Sequence, residues 1–77
     1  MIKLDRESSA VSALELDADS NTVTATFKGN GQTYTYSGVK AADIQTLLND
    51  EELSVGQWIN SACVRNPQAT AVKVAAW

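Results

Sequence analysis

Two short segments of alternating side chains, joined by a glycine-containing turn, most strongly limit what this chain can fold into. From Thr22 to Phe27, apolar residues alternate with three threonines. Such alternation is typical of a half-buried strand, because successive side chains point to opposite faces. Residues 33–37 (Thr-Tyr-Thr-Tyr-Ser) repeat the pattern, and Gly29-Asn30-Gly31 supplies the positive φ angles of a tight turn. The two segments therefore predict an antiparallel hairpin.

The flanking residues extend this hairpin into a small sheet. Residues 11–16 predict another strand, with Leu14 and Leu16 on one face, and the polar run 17–21 (Asp-Ala-Asp-Ser-Asn) predicts the turn that follows it. The alternating tail, residues 70–77, predicts either a fourth strand at a sheet edge or a segment exchanged between subunits.

Two helices are predicted between the hairpin and the tail. Apolar residues at i, i+3 and i+4 predict a first helix over residues 41–49. Ser54 is a suitable N-cap for a second helix, which Asn66-Pro67 ends. The predicted fold is α+β, a single domain over residues 1–77: a three- to four-stranded antiparallel meander sheet with two helices packed on one face.

Size and charge restrict the partners. In a chain of 77 residues, much of the 44% apolar content is Ala and Val, so the core must be thin. A second copy would help to cover that core, which predicts a homo-oligomer, most simply a homodimer. The net charge of −3 disfavours non-specific binding to phosphate backbones, so we do not expect double-stranded DNA as a partner.

The cysteine count and hydropathy predict a cytoplasmic protein. Cys63 is the only cysteine, so no internal disulfide can form, which fits a reducing compartment. The sequence has no apolar run of about 18 residues, and we therefore expect no membrane span. The first seven residues do not have the pattern of a signal peptide.

The residue types argue against catalysis and against a metal or cofactor. The sequence has no histidine, the commonest general base. Cys63 falls on the apolar face of the second helix, where a structural thiol is expected. The run that begins at Asp17 resembles the start of a calcium loop. However, Thr22 occupies the position of the required glycine, and Lys28 that of the closing carboxylate. A hairpin turn explains this run better.

Tyr34 and Tyr36 are the candidate ligand-binding aromatics, and their direction is open at this point. At i and i+2 of one strand, both rings must point to the same face. If they share a face with Val23 and Phe27, they belong to the core and their hydroxyls reach its rim. If they lie beside the threonines, they form a polar-aromatic platform suited to stacking of a base.

Two motifs resemble the KTSC domain, a short domain named for the C-terminus of some lysyl-tRNA synthetases. The first is residues 34–39 (Tyr-Thr-Tyr-Ser-Gly-Val) with the leucine-bearing helix that follows, and the second is residues 54–60 (Ser-Val-Gly-Gln-Trp-Ile-Asn). The resemblance covers about residues 8–62, leaving 67–77 as a strand-like tail. Its synthetase context implies RNA binding. Lys40 replaces the proline usual in that family, and the usual basic ending with an aromatic residue is missing.

These observations lead to two hypotheses about function. The first is a non-enzymatic binding module for a nucleotide or short single-stranded RNA, for example a phage-type accessory protein that sequesters a nucleotide signal. Tyr34 and Tyr36 would stack on the base, and Lys28, Lys40 and Arg65 would meet the phosphates. The alternative is a protein–protein interaction module or an inhibitor of a host protein, with the Thr-rich strand face or the tail ending in Trp77 as its interface.

Overall fold

The computed structural model describes residues 2–4 and 9–74, which form one antiparallel sheet with helical segments on one side. The sheet has five strands in chain order, more than the three or four predicted. The strands are β1 (Ile2–Leu4), β2 (Val11–Asp17), β3 (Thr22–Phe27), β4 (Thr33–Ser37) and β5 (Thr70–Val74). The predicted meander is confirmed, as is the tail strand over residues 70–74, whereas the rest of the tail, 75–77, lies outside the described residues. Strand β1 was missed.

Tight turns connect the central strands as the sequence predicts. Between β2 and β3, the Asp17 carboxylate accepts the backbone N–H groups of Asp19 and Ser20 at 3.1 and 3.4 Å. This side-chain bonding makes the acidic run a hairpin turn. Between β3 and β4, Gly31 adopts a φ of 68° and donates its N–H to the Phe27 carbonyl at 2.9 Å.

Two α-helices follow β4. Helix α1 spans Ala41–Asn49, as predicted, and α2 spans Val55–Ile59. Ser54 caps α2, since its hydroxyl accepts the N–H of Gln57 at 3.4 Å. The predicted second helix does not remain α-helical. It widens into a π-helical segment, Asn60–Val64, in which the Asn60 carbonyl accepts the N–H of Arg65 at 2.8 Å.

The core lies between the helices and one face of the sheet. The register places Leu14 opposite Ala25, and Leu16 opposite Val23, and these four buried residues share a face. We call it the helix face, because its buried residues form one cluster with buried residues of the helical segments. The helical residues of that cluster are Ile44, Leu47, Val55, Trp58, Ile59, Ala62 and Cys63.

The other face, here the open face, carries hydroxyl groups. Thr24 lies opposite Thr35 with 3.3 Å between their side-chain oxygens, and Thr26 lies opposite Thr33 at 2.7 Å. These pairs stabilise the central strands by cross-strand hydrogen bonds. Val72 and Val74 of β5 extend the same face to the sheet edge.

The described helices are all short. None of them combines the length and the apolar character needed to cross a membrane.

Candidate functional site

The two tyrosines lie on the helix face. Tyr36 is opposite Val23 and Tyr34 is opposite Ala25 in the β3–β4 register, and residues directly opposite each other share a face. Tyr36 is only 6% exposed. Both rings therefore belong to the core side, and a platform beside the threonines, the other possibility left by the sequence, is not formed.

Tyr36 is a core residue in a low-dielectric environment. Burial raises the pKa of its phenol, and the neighbouring Cys63 and Tyr34 raise it further. The Cys63 side chain is 2% exposed, and burial, with a smaller contribution from Asp43, raises the pKa of its thiol to about 12. Both groups stay protonated at neutral pH. Cys63 has the inert, structural character expected of a buried thiol, and Tyr36 presents little surface to a ligand.

Tyr34 differs from Tyr36, because it lies at the margin of the core. Its side chain is partly buried, and its hydroxyl donates to Gln32 Oε1 at 2.9 Å. Its ring meets the Phe27 ring edge-on, with centroids 6.0 Å apart and an interplanar angle of 66°. We call Phe27 and Tyr34 the aromatic rim. Both residues are partly exposed.

Lys73 lies beside this rim. It is directly opposite Tyr34 in the β4–β5 register, so the two side chains share the helix face, with Cβ atoms about 4.5–5.5 Å apart. Lys73 is exposed. The sequence does not predict that Lys73 lies beside Tyr34. The alternation of the tail predicted a strand, but no local signal gives the register that brings Lys73 to Tyr34.

The cations predicted to meet phosphates are not gathered in one place. Lys28 follows β3 at the end of the sheet where Thr26 pairs with Thr33, and Lys40 lies beyond the other end, where Thr22 pairs with Ser37. The length of β4, roughly 15 Å, separates these ends. Arg65 ends the π-helical segment, outside the sheet, before the chain reaches β5 at Thr70 opposite Ser37. The predicted set of Tyr34, Tyr36 and three cations therefore does not form a single site.

An open cleft of about 200 Å³ lies between the helices. The indole Nε1–H of Trp58 donates to the Asp43 carbonyl at 2.9 Å beside it. The volume of this cleft is below the roughly 300–1,000 Å³ typical of ligand pockets. The remaining lining residues are Thr46, Ser61 and Ala62. Within the described ranges, no three His, Cys, Asp or Glu side chains are close enough to hold a metal ion.

Comparison with solved structures relates this fold to a known domain. The chain is similar to the crystal structure of a KTSC domain protein from Yersinia pestis, with a TM-score of 0.71 and 22% sequence identity. The similarity covers 96% of this chain and 97% of that protein. No family model and no curated protein matches the sequence. The chain thus has the fold of a KTSC domain, the family that its Tyr-x-Tyr and Ser-x-Gly-x-Trp motifs resemble.

Proposed function

We propose that this protein is a non-enzymatic binding module for a nucleotide or short single-stranded RNA, and that the ligand binds at the aromatic rim beside Lys73. The observation that carries the proposal is the pairing of Lys73 with Tyr34. It places an exposed cation next to a partly exposed aromatic ring on one face of a sheet.

The chemistry of the rim suits such a ligand. A base can stack on an aromatic ring whatever its identity, and each stacked base contributes about 1–3 kcal/mol. An adjacent ammonium group can meet the phosphate. Gln32, bonded to the Tyr34 hydroxyl, adds an amide that can donate to a base edge. One lysine in a chain of net charge −3 predicts affinity with only a shallow dependence on salt.

The absence of catalysis belongs to the same proposal. The sequence has no histidine, and the pKa of about 12 leaves Cys63 without thiolate at neutral pH. The aromatic rim itself contains no activated nucleophile and no general base. Its chemistry is that of recognition rather than of bond breaking.

Calorimetry with mononucleotides, dinucleotides, cyclic nucleotides and short RNAs tests this function. For a ligand that gives heat with the wild type, Lys73→Ala should weaken binding roughly tenfold, since one charge-assisted contact is lost. Lys40→Ala is the matched control, because Lys40 is exposed but lies at the far end of the sheet. Tyr34→Phe should weaken binding less than Tyr34→Ala, because it keeps the ring for stacking and removes only the hydroxyl.

Two results would contradict the proposal. One is the absence of heat with every nucleotide and RNA, and the other is an equal loss of affinity in Lys73→Ala and Lys40→Ala. Thermal melts of each variant separate a damaged fold from a damaged site.

The second candidate function, a protein–protein interaction module, is favoured by the uncovered open face with its exposed Val72. Its predicted contact Trp77 lies outside the described residues. Purification distinguishes the two functions. Co-purifying absorbance at 260 nm supports nucleotide binding, whereas capture of one defined host polypeptide, lost on Thr24→Lys at the centre of the open face, supports protein interaction.

A further inference from the structure

The two edges of the sheet differ in how they are protected. At one edge, β1 is only three residues long, and each edge strand carries one lysine, Lys3 in β1 and Lys73 in β5, so the two edges differ in length rather than in charge. Short strands and charged residues are the usual means by which proteins prevent an edge from pairing with another chain. At the other edge, β5 is five residues long, and its sequence Thr-Ala-Val-Lys-Val is rich in residues that favour strands. No described strand pairs with its outer side.

Strand β5 is also accessible from both faces. All five of its residues are exposed, including Val72 at 58% and Val74 at 43%. These are two of the four exposed large apolar side chains in the described part of the chain. Because all five residues of β5 are exposed, we infer that a further strand can reach its outer edge.

We propose that β5 pairs antiparallel with β5 of a second copy of this chain, around a two-fold axis at Val72. Only one register pairs all five residues of each strand, and that register centres on Val72. It places Val72 opposite its own copy and Val74 opposite Thr70. These are pairs of β-branched residues, which stabilise neighbouring strands.

Charge favours the same register. With Val72 at the centre, Lys73 lies opposite Ala71 of the second copy, so no two like charges face each other directly. A register centred on Lys73 would place the two ammonium groups opposite each other and would leave Thr70 and Ala71 partly unpaired. The sequence of β5 is therefore complementary to itself in one register. The result is a continuous ten-stranded sheet, and this inference stands independently of any ligand.

Cysteine cross-linking tests the register directly. Opposed Cα atoms in antiparallel strands are about 4.5–5.5 Å apart, within the roughly 4.4–6.8 Å that a disulfide spans. Val72→Cys should therefore give a covalent dimer under mild oxidation. Lys3→Cys, exposed at the centre of the other edge, is the matched control and should stay monomeric on a non-reducing gel. The native Cys63 is 2% exposed and should contribute no background.

Sedimentation of the full chain without cross-linking provides the second measurement. The wild type should be dimeric at micromolar concentration. Val72→Lys should shift it to monomer, because two like charges would meet at the axis, while circular dichroism stays that of the wild type. A monomeric wild type would overturn the proposal, as would equal cross-linking of both cysteine variants. A cross-link formed only when the two variants are mixed would instead indicate pairing of β5 with β1 and would also overturn it.

Discussion

Gly38 shows how a single residue determines where β5 begins. Its φ is 81°, a conformation that side chains other than glycine rarely adopt. A Cβ atom at this position would lie 2.5 Å from the carbonyl oxygen of Gln68. The glycine therefore lets the chain before β5 approach the end of β4, and two residues later Thr70 pairs with Ser37.

Gly38→Ala should accordingly destabilise the protein. The positive φ alone should cost about 1–3 kcal/mol, and the contact with Gln68 adds to that cost. Gly29→Ala is the control, because a Cβ there meets nothing within 4 Å and φ is not positive. Its free energy of unfolding should change by less than about 1 kcal/mol. Urea unfolding measures the free energy of unfolding of both variants. Equal stability of Gly38→Ala and Gly29→Ala would show that the backbone conformation at Gly38 does not require glycine.

At the scale of elements, α2 depends on its first residues and on one aromatic side chain. Ser54 provides the cap, and Trp58 is 6% exposed within the core cluster. The Trp58 indole also bonds the Asp43 carbonyl of α1. Because α2 has only five α-helical residues, it has little stability of its own. Packing through Trp58 must hold it against α1 and the sheet.

Substitutions at these two positions should therefore lower the free energy of unfolding by different amounts. Ser54→Ala should cost about 1 kcal/mol through loss of the cap. Trp58→Ala should cost about 3–5 kcal/mol through loss of buried aromatic volume, enough to unfold a small domain. Trp58→Phe keeps an aromatic ring for packing and removes the hydrogen bond. Its cost should therefore fall between those of Ser54→Ala and Trp58→Ala. If thermal melting places Trp58→Ala within a degree or two of the wild type, the core position of Trp58 is wrong.

The elements that could be predicted are those with a complete local pattern. The bounds of β3, β4 and α1 match the prediction, because each has several alternating or periodic residues and a clear end. The missed β1 has three residues, too few for alternation to be recognised, and it is defined by its pairing with β2. The π-helical segment has no sequence pattern of its own.

The candidate site was less predictable, because it depends on strand register. Tyr34 was singled out from its own neighbours, but Lys73 reaches it only through the β4–β5 pairing. Lys40 and Arg65 carry the charge that a phosphate requires, but no local feature of the sequence reports which end of a sheet a residue occupies. Composition thus identifies candidate groups, while register decides which of them meet.

For the whole molecule, the proposed dimer predicts that stability depends on protein concentration. A second copy that binds only the folded chain stabilises it by mass action. The melting temperature of the wild type should therefore rise as the protein is concentrated. Val72→Lys should melt at one temperature throughout, because a monomer gains nothing from concentration. A wild-type melting temperature that stays constant over a hundredfold range would mean that the thin core is sufficient alone and would contradict the β5 dimer.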